Sequence, residues 1–416
     1  MLYNIFIFLY RAGISVATLL NPKAKLWKKG RKNIFYRLEQ DMQDSRQVIW
    51  MHCASLGEFE QGRPVLESLR KNYPLHKILL TFFSPSGYEI RKNYQGADWV
   101  YYLPLDTKCN VRRFLKIVNP SLVIFVKYEY WYNYLHQLSK NHVPTILISA
   151  IFRKDKVFFK WYGGFHRKML NYFSHIFVQD AESKDLIKGL VSDEKITVAG
   201  DTRFDRVAEL ASAFQPVAPI EKFIQGKKII VAGSTWPDDE RNLNTLLNEM
   251  EGNISLIIAP HEVDSNHIGN LQKLFTNSIL YTALSSEKIT NTAIANSRVL
   301  IINNIGLLSR LYYSADIAYI GGGFNSSGIH NTLEAAVYGK PVIFGPNYQK
   351  FSEAVSLVAL GGGFSYQSAP ELTAITQQLL DESDILKISG KVAGSFVKEN
   401  TGATAIILGH IRKSVF

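Results

Sequence analysis

Cysteine is scarce in this 416-residue chain: Cys53 and Cys109 are its whole complement. Two thiols cannot build the disulfide framework of a small secreted domain or a four-thiolate zinc site, so reduced thiols in the cytosol are expected. The ten histidines are scattered, with no Cys/His spacing that suggests a metal site. Internal repeats and low-complexity tracts are absent, which excludes solenoids and mucin- or collagen-like architectures. No aromatic-interleaved basic stripe accompanies the net charge of +11, so nucleic acid is not an expected partner.

A long apolar run occurs once, from Leu2 to Leu20, interrupted by Asn4, Arg11, Ser15 and Thr18. As a helix those residues would reach about 28 Å, close to a bilayer's hydrocarbon thickness. The basic cluster follows the run instead of preceding it, which argues against a cleaved signal peptide. Residues 22–32, PKAKLWKKGRK, hold six positive charges and no negative one. Two membrane readings stay open: a spanning anchor with Arg11 at a costly depth, or an in-plane helix with Arg11 snorkelling and the lysines on anionic lipid. A buried N-terminal helix is the plainer alternative.

Beyond that segment, short apolar runs alternate with helical patterns, which predicts parallel sheets with crossover helices. Strands are expected at 47–53, 77–83, 121–126, 144–149, 175–179 and 196–199. A second series is expected at 227–233, 254–259, 298–303, 316–320 and 341–344. The fold class is therefore α/β, with two doubly wound, Rossmann-like domains facing a cleft. The boundaries are an anchor helix at 1–21, a basic juxtamembrane segment at 22–46, a first domain at 47–205, a linker at 206–226 and a second domain at 227–416. The last helix has the option of packing back on the first domain.

In such sheets ligands bind beyond the carboxyl ends of the strands, so motifs there carry most weight. Gly321, Gly322, Gly323 and Gly328 follow one apolar strand and are expected to let the backbone approach a ligand with no Cβ in the way. His330-Asn331 is expected to open a helix whose free N–H groups suit a phosphate, with Glu334 one turn in to reach a ribose hydroxyl. After the first strand, His52-Cys-Ala-Ser55-Leu-Gly57-Glu58 places Glu58 in a loop, provided Pro64 lies in the following helix's first turn; Glu58 is then a general base or a solvated acid at a helix start. Glu129 sits among Tyr128, Tyr130 and Trp131, as a tuned acid or a satisfied one. Arg203 reads either as a phosphate partner or as a salt bridge to Asp205. Ser234 and Thr235 read as helix caps ahead of Pro237, and Pro260, His261 and Gly306 are further strand-end candidates.

Together and in order, these segments resemble the 3-deoxy-D-manno-octulosonic acid (Kdo) transferases of lipopolysaccharide synthesis. The family's S-x-G-E turn is matched by Ser55-Leu56-Gly57-Glu58, and its T-E-L-W-P-N segment by Tyr128-Glu129-Tyr130-Trp131-Tyr132-Asn133. G-N-L-K-F-D is matched by Gly200 to Asp205, and A-S-T-H-x-x-E-E by Gly233-Ser234-Thr235-Trp236 onward. On the donor side P-R-H-P-E-R is reduced to Pro260-His261-Glu262, D-T-M-G-E-L becomes Asn303 to Leu308, and G-G-H-N-P-L-E becomes Gly328 to Glu334. Lys127 and Leu307 stand where acids are usual, and Arg203 replaces a lysine.

The resemblance implies a GT-B fold and inverting, metal-independent transfer of Kdo from CMP-Kdo, with no cofactor, to a lipid A precursor on the cytoplasmic face of the inner membrane. It casts Glu58 as catalytic base, Glu129 as a second essential acid and Arg203 as a cation for the departing CMP. Ser55, Gly57, Ser234, Thr235, Pro260, His261, Gly306, Leu307, Leu308, His330, Asn331, Thr332, Leu333 and Glu334 are cast as substrate-binding. Other readings are a different GT-B nucleotide-sugar enzyme, such as a UDP-sugar transferase or epimerase, or a silent saccharide-binding protein. The basic 153–168 region reads as a second contact to anionic membrane or as solvated charge.

Overall fold

The computed structural model describes residues 2–43, 47–250 and 252–415. The ends of the expected anchor and last domain, Met1 and Phe416, and the end of the basic segment at 44–46 lie outside these residues. The chain divides into two compact units, Met1–Arg206 with Thr401–Phe416, and Val207–Asn400.

In the first unit, β1 (Val48–Cys53), β2 (Lys77–Phe82), β3 (Trp99–Tyr102), β4 (Pro120–Val126), β5 (Thr145–Ala150), β6 (His175–Val178) and β7 (Ile196–Val198) form one sheet in the order β3-β2-β1-β4-β5-β6-β7. All the pairings are parallel. Alternation along a strand sends successive side chains to opposite faces. Val48 and Trp50 accordingly enter one buried cluster, and Ile49, Met51 and Cys53 another. A strand buried on both faces reads as a continuous apolar run, which is why β1 was visible in the sequence.

The second unit repeats the plan with β8 (Lys228–Thr235), β9 (Ile254–Pro260), β10 (Ser278–Leu280), β11 (Val299–Ile301), β12 (Ile317–Ile320), β13 (Val342–Phe344) and β14 (Gly363–Ser365), ordered β10-β11-β9-β8-β12-β13-β14 and again all parallel. The strand order reverses between β1 and β4 in one sheet and between β8 and β12 in the other. These are the topological switch points, where α/β sheets open a crevice. Three strands escaped the sequence reading, β3, β10 and β14, and each is a sheet edge of three or four residues.

The stretch read as a linker carries two helices, the end of Thr202–Ser212 and Ala218–Ile224, the latter burying Ile220 and Phe223. The C-terminal helix Ala403–Ser414 lies against the first unit, where Ile407 and Ile411 join Phe59 and Leu66 in one core cluster. Asp205 accepts the Gly402 and Thr404 N–H groups at 2.5 and 2.6 Å, so it holds the start of that helix and is not the ion-pair partner considered for Arg203.

The N-terminal apolar run folds as a 16-residue helix, Leu2–Ala17. No helix among the described residues is long and apolar enough to cross a membrane. One face of the N-terminal helix is docked: Ile7 is buried with Trp27 and Leu105, the Tyr3 hydroxyl donates to Asp106, and Asn133 Nδ2 donates to Asn4 at 3.0 Å. Ile5, Phe6, Phe8, Leu9 and Val16 remain exposed. Asn21 caps the next helix, Pro22–Gly30, through the Lys23 and Ala24 N–H groups at 2.8 and 3.3 Å, and Ile34–Asp41 follows.

Candidate functional site

Glu58 and Glu129 lie just past β1 and β4, the two strands that flank the first switch point. The helix after β1 starts at Leu56, so Glu58 occupies its first turn and not a loop. Pro64 is therefore in the helix interior, against expectation. A proline there leaves the carbonyl four residues back without its usual donor. The adjacent Gln61 carbonyl is engaged from outside the helix, by the Thr202 hydroxyl. Glu58 Oε2 accepts the Ser55 N–H at 3.0 Å, as in a capping box. Gly57 is not in a left-handed conformation, and apart from its chain neighbours and its own helix backbone no protein atom lies within 4 Å of the place a Cβ would take. That glycine leaves open space beside Glu58.

Glu129 is 5% exposed, and its Oε2 accepts from His52 Nε2 at 2.8 Å and from the Trp131 indole N–H. His52 Nδ1 lies 2.9 Å from the Thr81 hydroxyl, so the imidazole is fixed at both nitrogens. The satisfied-acid reading of Glu129 is thus met at one oxygen. The Glu58 pKa is raised to about 7, first by burial and then by the Glu129 charge, against the pull of the Ala54 and Ser55 N–H groups and the Lys127 cation. Lys127, where the resemblance expects an acid, has φ +66°, a left-handed backbone that side chains adopt at a cost. Arg203 pairs with Asp201, Nε to Oδ2 at 2.8 Å, and its own N–H donates to Asp201 Oδ1 at 2.9 Å.

In the second unit the candidates gather at the ends of β8, β9 and β12. Trp236, not Ser234 or Thr235, is the cap residue of the helix Pro237–Glu249, and its N–H donates to Asp239 Oδ2 at 2.9 Å. Ser234, at φ +54°, and Thr235 belong to β8, and the Thr235 hydroxyl donates to Glu240 at 3.1 Å. Pro260 ends β9, and the His261 N–H returns to the Thr235 carbonyl at 3.0 Å. His261 stacks on Trp236 with centroids 4.6 Å apart and meets His330 at 4.7 Å. The Trp236 indole N–H donates to His330 Nε2 at 3.3 Å. Burial, and then His261, lower the His330 pKa to about 4, which keeps it a neutral acceptor.

Two expectations for the glycine block are corrected. A Cβ at Gly321 would lie 2.3 Å from the Ser234 carbonyl oxygen, and one at Gly323 2.5 Å from Gly345 Cα. Those glycines admit neighbouring protein backbone, not a ligand. The helix expected to open at His330-Asn331 is a single turn, Leu333–Ala336. Four residues align too few peptide dipoles for the phosphate argument. Asn331 organises this turn instead: its Oδ1 accepts the Leu333 N–H at 3.1 Å and its Nδ2 donates to Glu334 at 3.1 Å. Gly306, at φ +94°, turns the chain after β11 into Leu307 and a short helix Leu308–Leu311, and Leu308 packs against Gly233. Thr332 and Leu333 are fully buried.

The sequence reading gave no role to His52 or Asp239. His52 is the one imidazole in an otherwise apolar inner strand, a signal that was available. Asp239 lies in the first turn of the helix Pro237–Glu249, where acids are common anyway. It is fully buried and accepts from the Tyr319 hydroxyl, the Gly322 N–H and the Trp236 N–H at 2.8, 2.9 and 2.9 Å, tying β12's end to β8's.

Residues 29–206 match the family model described as 3-Deoxy-D-manno-octulosonic-acid transferase (kdotransferase). The chain is 27% identical over 375 residues to the 3-deoxy-D-manno-octulosonic acid transferase of Haemophilus influenzae, covering 87% of this chain and 86% of that one. It is 26% identical over 360 residues to the enzyme of that name from Aquifex aeolicus, covering 85% and 92%. Over most of its length the chain is thus similar to Kdo transferases, and the family model covers much of its first unit. A bifunctional glycosyltransferase/methyltransferase of Fusobacterium nucleatum is 27% identical over 397 residues, which are 92% of this chain and 60% of that longer protein. Among solved structures, the UDP-GlcNAc 2-epimerase of Neisseria meningitidis superposes with a TM-score of 0.60 at 18% identity, covering 89% of this chain and 100% of the epimerase. That likeness is one of fold, of the GT-B type with two doubly wound units.

Proposed function

We propose that this protein is a Kdo transferase that moves Kdo from CMP-Kdo to the glucosamine 6-hydroxyl of a lipid A precursor, with Glu58 as general base. The observation that carries the reading is the placement of Glu58: at a switch point, next to open space at Gly57, with its pKa raised to about 7. A base poised near the working pH balances ionised fraction against proton affinity. Glu58 takes the acceptor hydroxyl's proton as the oxygen attacks the anomeric carbon; the C–O bond to CMP breaks and CMP leaves with the electron pair. Glu129, fixed by His52 and Trp131, orients the acceptor hydroxyl or steadies positive charge on the sugar. Arg203 offers a cation to the departing phosphate, and Glu334, oriented by Asn331, holds the ribose.

The acceptor is a lipid, so the enzyme works at the cytoplasmic face of the inner membrane. Support for an in-plane contact comes from the exposed apolar residues of the helix Leu2–Ala17 beside the lysines of Pro22–Gly30. Incubation of purified protein with CMP-Kdo and a tetraacylated, bisphosphorylated disaccharide, followed by mass analysis, tests the reaction. Addition of Kdo is expected; turnover with UDP-sugars and none with CMP-Kdo would overturn the donor assignment.

A further inference from the structure

A cavity of about 1190 Å³ opens in the first unit between the helices Leu2–Ala17, Pro22–Gly30 and Lys108–Val118, among residues distinct from Glu58 and Glu129. Its walls carry cations and no carboxylate. Lys25, Lys28 and Lys29 share a face of the helix Pro22–Gly30, Lys32 follows in the turn after it, and Arg11 approaches from the first helix. Like charges three and four residues apart oppose helix formation. Among the described residues none of these five has an ion-pair partner.

The other two cations of the lining are occupied. Arg31 is stacked 3.9 Å over Trp27 and donates to the Leu103, Phe83 and Trp27 carbonyls, while Arg113 pairs with Glu39 at 3.0 Å. The buried indole N–H of Trp27 in the same wall finds no acceptor. An array of donors and point charges without an acceptor suits a phosphate group.

A second hollow lies against two of the same helices, Leu2–Ala17 and Lys108–Val118, lined by Ile5 and Phe8 with Asn4 and Lys108. Phe8 is 68% exposed there. We propose that this cavity is a binding site for the phosphate of an anionic phospholipid headgroup, with the acyl chains running beside Ile5 and Phe8. A free phosphate needs only the first half of this arrangement; a lipid uses both. The inference rests on the membrane reading above, but not on sugar transfer.

Cys109 lines the cavity and is exposed, whereas Cys53, the other thiol, is buried. Alkylation of Cys109 by N-ethylmaleimide in the full chain therefore reports occupancy. Vesicles of phosphatidylcholine containing phosphatidylglycerol are expected to slow labelling about tenfold at lipid concentrations near ten times the apparent Kd, and phosphatidylcholine alone to leave it unchanged. In K28Q/K29Q/K32Q, compared at equal vesicle-bound fraction, the protection should vanish. In K387Q/K391Q/K398Q, with the same charge removed from the other unit, it should persist.

Vesicle binding with no protection of Cys109, or with equal protection in K28Q/K29Q/K32Q, overturns the cavity assignment while leaving the membrane reading intact. Failure to float with anionic vesicles overturns both. Equal protection by inorganic pyrophosphate in solution overturns the lipid as occupant.

Discussion

Replacing Glu58 by Gln should cut turnover sharply and, at high pH only, stabilise the fold. The carboxyl titrates at about 7 in the folded chain against an ordinary value of 4.5. Below pH 4.5 it is neutral in folded and unfolded chains alike, so Glu and Gln differ little. As pH rises towards 7 the unfolded chain ionises first, and above 7 the folded chain must hold a charge that burial and Glu129 disfavour. Raising the carboxyl from 4.5 to about 7 corresponds to about 3–4 kcal/mol at most. Residual solvent contact and the weaker acceptance of the Ser55 N–H by an amide reduce this to about 1–2 kcal/mol.

Urea unfolding of wild type and E58Q should therefore coincide near pH 4.5 and separate in favour of E58Q by pH 8. Gln suits the same helix position, so the capping arrangement survives. Turnover should fall about 10²-fold or more, and wild-type kcat/KM should decline as pH drops through about 7. An E58Q protein equal to or weaker than wild type at pH 8 would refute the electrostatic reasoning. Near-wild-type turnover would refute the base.

His330 supplies the opposite sign: its pKa is lowered to about 4, so the stability it contributes is present above about pH 6.5 and is lost as pH falls towards 4. H330N should remove about 1–2 kcal/mol of that acid sensitivity, seen as a smaller Tm decline between pH 7 and pH 4.5. Asp239→Asn turns a donor towards groups that already donate, and should cost about 2–4 kcal/mol in urea unfolding. Gly323→Ala forces a methyl against Gly345, and a loss of about 1–3 kcal/mol, or about 2–8 °C in Tm, is expected; an unchanged Tm would show the glycine is not there for packing.

Much of the fold was legible because parallel strands buried on both faces are continuous apolar runs, and the strands that flank the switch points are of that kind. The edges were not legible: β10 is three residues with only Ile279 buried. Helix boundaries failed where a rule of local preference met tertiary context. Pro64 was placed at a helix start because prolines usually belong there, yet the helix Leu56–Asn72 runs through it with Thr202 bonded to the Gln61 carbonyl. Ser234 and Thr235 look like caps by composition, but the strand takes in both and ends at Thr235, and Trp236 takes the cap position.

By itself the sequence determined the architecture, the family resemblance and the strand ends at which Glu58, Glu129, His261 and His330 stand, because apolar periodicity and motif spacing are written along the chain. Only the tertiary structure decided what those residues are electrostatically. The raised pKa of Glu58 comes from burial and from Glu129, 71 positions away in sequence, and Glu129 itself is fixed by His52 from another strand. It also decided that Gly321 and Gly323 make room for protein backbone while Gly57 leaves room for something else. A missing Cβ is read directly from sequence, but what fills its place depends on segments that meet only when the chain is folded.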